Sequence, residues 1–82
     1  MLRYNGLYKE VNMNAEYTAV IKQSGGWWIG WIEEIPGVNC QEGTYDELLE
    51  SLRLTLKEAL DFNRKDAIAA VGSGYKEEKI AV

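Results

Sequence analysis

The sequence predicts an α+β domain: a three-stranded antiparallel sheet, one main helix packed on one face, and a short C-terminal strand. Three observations carry that expectation. Residues 16–22 and 27–34 are rich in β-branched and aromatic side chains that divide between two faces at period two, as in a strand. Turn signals at Ser24-Gly25-Gly26 and Ile35-Pro36-Gly37 separate the strand segments. A capping pattern at Thr44 then opens a run of apolar residues at helical spacing.

The first strand is expected over 16–22, with Tyr17, Ala19 and Ile21 on one face and Thr18, Val20 and Lys22 on the other. Its β-branched content suits a pleated surface. The glycine pair after Ser24 supplies the positive φ of a hairpin turn. The second strand is expected over 27–34. Trp27, Ile29, Trp31 and Glu33 share one face; Trp28, Gly30, Ile32 and Glu34 share the other. Gly30 admits another backbone or a large side chain close to the sheet. Pro36 cannot donate to a ladder and Gly37 suits a type II turn. A third short strand over 38–42 ends at Gly43.

Thr44 is a good N-cap, and Glu47 three positions later completes a capping box. Asp46 and Glu47 favour the helix N-terminus. Leu49, Leu52, Leu56, Ala59 and Leu60 form the expected apolar stripe, flanked by Leu48. Arg64 and Lys65 complement the C-terminal end if the helix stops nearby; otherwise it runs through Val71 to Gly72-Ser73-Gly74. Ile80 and Val82, alternating with Ala81, suggest the last strand within Tyr75–Val82.

Residues 1–14 stand apart as an arm or extension, with 15–82 as the domain. Tyr4, Leu7, Tyr8 and Val11 would share a helical face, interrupted by Asn5-Gly6. Met13 is an alternative start. The arm contains no apolar run of signal-peptide length.

An 82-residue chain allows one small domain, for which oligomerisation is a reasonable way to bury more surface. Nine Lys and Arg against thirteen Asp and Glu give a net charge of −4, a poor basis for binding phosphates directly. A basic protein partner fits that sign better. Cys40 is the single cysteine, so no intramolecular disulfide is expected, which fits a reducing cytoplasm. With no histidine, triads and His-based metal sites are excluded. No catalytic, cofactor or metal residues are therefore assigned, and no membrane segment is expected.

The ordered series Tyr17-Thr18-Ala19-Val20-Ile21, Gly25-Gly26-Trp27-Trp28, Glu34-Ile35-Pro36-Gly37-Val38, then Gln41, Gly43, Thr44, Glu47, Leu48 and Leu49 resembles the HicB-like antitoxins. The resemblance spans roughly residues 16–63. It implies a partial RNase H-like core, β-β-β-α-β, that binds a small basic RNA-cleaving toxin and covers its active site. It also implies an added DNA-binding segment in many members. About ten residues follow Gly72 here, too few for a helix-turn-helix, so operon repression is not expected of this chain alone.

Five residues are candidate partner contacts: Trp28, Glu33, Glu34, Glu42 and Leu54. The carboxylates belong to a segment, 33–50, that lacks Lys and Arg. They read either as an acidic surface for a basic partner or as solvation of strand ends and helix capping. Trp28 is an interface anchor if its face is the uncovered one, and core otherwise. Leu54 lies roughly opposite the apolar stripe, as a contact or as a lone surface leucine. The expected assembly is a homodimer.

Overall fold

The computed structural model describes residues 16–82; the expectations for the arm lie outside the described residues. Strands β1 (Ala19–Ser24), β2 (Trp27–Ile32) and β3 (Asn39–Glu42) form one antiparallel sheet in the order β1-β2-β3, and helix α1 (Tyr45–Val71) follows. The predicted sheet-plus-helix architecture is what the described residues adopt.

Each connection has a local cause. Ser24 pairs with Trp27, so Gly25 and Gly26 alone make the turn and β1 extends to Ser24. At the second turn the Val38 N–H donates to the Ile35 carbonyl at 3.4 Å, with Gly37 at φ 89°. That is the type II pattern, in which the third residue needs a left-handed backbone. The turn begins early enough to release Glu33 and Glu34 from β2, which ends at Ile32. Both had been expected on the strand.

The helix starts as its sequence suggested. Thr44 has extended backbone, and its Oγ1 accepts from the Glu47 N–H at 3.1 Å. At the other end the Gly72 N–H donates to the Ile68 carbonyl. Because α1 runs on to Val71, Arg64 and Lys65 are not in its last turn, which holds no basic side chain. They pair instead with Glu77 at 2.9 Å and Asp61 at 3.0 Å.

Helix α1 packs on the sheet at Gly30. A Cβ at that position would lie 2.8 Å from Leu52 Cδ1, 3.2 Å from Leu48 Cδ2 and 3.4 Å from Ile21 Cγ1. Leu48 and Leu52 thus sink into the space the missing side chain leaves. Together with Ile32 and Val38 they are the buried hydrophobic residues; Tyr17, Ala19, Ile21, Trp28, Leu56 and Ala59 pack around them. This corrects the expected stripe. Leu48 is its centre, whereas Leu49 is 39% exposed.

The cause is chemical. At about 100° per residue, Thr55 and Ser51 fall on the same side of Leu48 as β3, and both are bound there. Ser51 Oγ donates to Glu42 Oε2 at 2.6 Å, and Thr55 Oγ1 lies 3.4 Å from Cys40 Sγ. Two polar residues therefore belong to the packed face and rotate its centre away from Leu49.

Core contacts of α1 end at Ala59. Of residues 61–71 only Ile68 is not exposed. The tail folds back on this part of the helix, where Ala67, Ile68, Val71 and Tyr75 line a shallow apolar pocket beside the Arg64–Glu77 pair. The expected C-terminal strand does not form: residues 75–82 carry no regular structure. A strand exists only by pairing, and the tail's neighbour is a helix.

Gly30→Val should therefore cost about 1–3 kcal/mol through overpacking, read as a lower urea midpoint. Gly26→Ala, with nothing within 4 Å of the new Cβ, should stay within about 0.5 kcal/mol. Thr44→Ala should cost about 1 kcal/mol by removing the cap, with an unchanged denaturant slope.

Candidate protein-binding face

The helix covers the side of the sheet that carries Ile21, Trp28, Gly30 and Ile32. Side chains alternate along a strand, so the opposite side carries Val20, Lys22 and Ser24 from β1, Trp27, Ile29 and Trp31 from β2, and Asn39 and Gln41 from β3. Register aligns them in rows: Val20, Trp31 and Asn39; Lys22, Ile29 and Gln41. No described element packs on this side. Val20 and Trp27 are each 51% exposed and Trp31 is 42% exposed. Along β2 the two tryptophans stand about 13 Å apart, at ~3.3 Å per residue, with Ile29 between them. Lys22 is the single charged side chain among these strand positions.

Trp28, expected as a partner contact, lies on the helix side. Its ring meets Tyr45 edge-on, with centroids 5.3 Å apart and planes at 76°, and it packs against the core. The exposed tryptophans are its neighbours Trp27 and Trp31, which were not among the expected contacts. Alternation alone did not decide which side the helix would take. The signal that decides it was the phase of Gly30, which shares a face with Trp28.

The three candidate carboxylates are not brought together. Glu42 pairs with Trp28 across the ladder, while Glu33 follows the far end of β2. That separates them by about 17 Å along the strand direction. Glu42 is half-buried and accepts from Ser51 on the helix side. Glu34 is exposed but internally engaged, its Oε1 accepting from the Thr18 N–H at 2.8 Å. The adjacent Glu33 N–H donates to the Thr18 carbonyl at 2.9 Å. These two bonds clamp the approach to β1 onto the β2–β3 turn. Glu33 remains exposed at that corner. Leu54 is 46% exposed on the outer side of α1, remote from the open sheet face.

The backbone hydrogen bond from Thr18 holds the Glu34 carboxyl below its ordinary value of 4.5. Arg53 does the same for Glu50, through paired hydrogen bonds and charge attraction. Both sites are on the surface. Among the described residues, no group of three or more His, Cys, Asp or Glu side chains could hold a metal ion. No helix among them is long and apolar enough to cross a membrane. What the open side offers is apolar and aromatic contact area, edged by amides and one ammonium. No family model, curated protein or solved structure matches the chain.

A carboxyl whose folded pKa is depressed contributes stability above its unfolded value, and that contribution is lost as pH falls through the folded value. Glu34→Gln removes this term. Its thermal midpoint should fall less steeply than the parent's as pH drops from about 5, measured by circular dichroism. Glu50, held low by Arg53, leaves a residual slope in both proteins.

Proposed function

We propose that this chain is an antitoxin-like protein-binding module. It neutralises a small basic RNA-cleaving protein in the cytoplasm by covering that protein's active site, as a homodimer and without chemistry of its own. The observation that carries the binding role is the open sheet side, where Val20, Trp27 and Trp31 stand exposed around Ile29. The largest apolar patch on a monomer is often a functional one. Tryptophan is also enriched among residues that dominate binding energy.

The partner's basic charge is favoured by the net charge of −4. Opposite charge speeds encounter and excludes acidic competitors. Its RNA-cleaving character rests on the HicB-like resemblance of residues 16–63. Trp27 and Trp31 form the apolar centre of the contact, and Glu33 lies on its rim. Glu34 and Glu42 act indirectly, by holding the turn and β3 in place.

A second reading, self-association alone, draws on the same face. Among the described residues the buried hydrophobic core is Ile32, Val38, Leu48 and Leu52, and a small core gains from any further burial.

The test pairs this chain with the product of a short basic reading frame beside its gene, scored by RNA cleavage and by titration calorimetry. The chain should inhibit cleavage. Trp27→Ala with Trp31→Ala should weaken binding by about 2–4 kcal/mol, roughly 30- to 1,000-fold, and Trp28→Phe should not. Binding should also weaken as salt rises, because exposed charges are screened. Inhibition indifferent to both tryptophans would sink the proposal. A stable dimer that binds no such protein would favour self-association.

A further inference from the structure

Strand β1 ends the sheet on one side, and its outer edge has no strand partner among the described residues. The Glu33 N–H bonds the Thr18 carbonyl, and in an antiparallel ladder inward-bonded and outward-facing residues alternate. Thr18, Val20, Lys22 and Ser24 therefore turn their backbone groups toward β2, while Ala19, Ile21 and Gln23 turn theirs outward. Such a row of open donors and acceptors is a template for another strand. The opposite edge, β3, is shorter, and Ser51 and Thr55 reach down to it from the helix.

Helix α1 lies over β2 and β3, so β1 projects beyond it. At about 100° per residue, Tyr45 and Leu49 fall on the flank of α1 away from Ser51, which is the β1 side, and both are exposed. Val20 is exposed on the other side of the same strand. Apolar groups thus stand above and below the open edge.

The edge is complementary to itself. A two-fold axis pairs the most of β1 when it passes through Ile21 or through Lys22. The axis at Lys22 sets that ammonium against its own copy, and like charges directly opposite are destabilising. The axis at Ile21 sets Ile21 against Ile21, Ala19 against Gln23, and Lys22 against Val20. Each outward-facing pair then exchanges both backbone hydrogen bonds.

We infer that two copies join antiparallel along β1, with the two-fold axis at Ile21, as the interface of the homodimer, an assignment that rests on the reading above. Area favours this arrangement. Three strands about 4.8 Å apart and some 20 Å long present a face of a few hundred Å², whereas a stable protein pair buries about 800 Å² on each partner. A second copy seated on the open side alone would fall short and would cover Trp27 and Trp31. Joined at β1, two open sides form one continuous face of twice the area, and the tryptophans stay free for a different protein.

Sedimentation equilibrium of the full chain tests the seam with no partner present. The parent should be a reversible dimer. Gln23→Pro removes an outward N–H at an exposed edge position, where proline is tolerated. It should raise the dimer dissociation constant about tenfold or more with the helical circular dichroism unchanged. Val20→Lys opposes two ammoniums across the seam and should raise the constant about tenfold, whereas Val20→Glu, opposite Lys22, should not raise it. Trp27→Ala with Trp31→Ala should leave it unchanged. A monomeric parent overturns the inference, as does a dimer indifferent to Gln23→Pro. Should Gln23→Pro unfold, the two Val20 variants decide: equal weakening by both overturns the register. Dissociation by the tryptophan pair would move the contact to the open side and overturn the seam. A dimer with the expected pattern that inhibits no basic RNA-cleaving protein would sink only the toxin assignment.

Discussion

The approach of α1 to the sheet at Gly30 is the constraint on which the rest of this domain depends. Only a residue without a Cβ lets Leu48 and Leu52 descend to that depth. Once they do, the helix is committed to the Trp28 side. Tyr45 then closes over Trp28, and Trp27 and Trp31 are left on the other side. One missing side chain thus decides which aromatic rings become core and which stay exposed.

The edge strand β3 is secured differently. It is only four residues long, and helix side chains reach down to it: Ser51 binds Glu42, and Thr55 meets Cys40. These contacts make the helix asymmetric, apolar toward β2 and hydrogen-bonded toward β3. Charge on this protein is likewise partly structural. Glu34 and Glu42 read in the sequence as free carboxylates, yet each accepts a hydrogen bond that holds a neighbouring element.

Much of the fold was legible in the sequence because it is written in local chemistry. Gly25-Gly26, Pro36-Gly37 and the Thr44 cap each specify a backbone geometry within a few residues. What was not legible depends on distant partners. Helical spacing placed Leu49 in the stripe because a hydropathy pattern counts Ser51 and Thr55 as solvent-facing. The alternating tail suggested a strand, but alternation supplies no neighbour to pair with. The candidate site suffered from the same gap: β2 is apolar on both sides, so its contact residues could be chosen only once the helix had a side.

The length of α1 has a consequence for how the molecule comes apart. Its core contacts end at Ala59, and the turns beyond it are braced by ion pairs and a folded-back tail. Helical turns held mainly by their own propensity fray at little free-energy cost. The distal end can melt and reform while the leucines beneath Gly30 stay locked. Unfolding is therefore graded along the helix axis, and its amide protons should record a steep gradient from a labile tip to a slowly exchanging root.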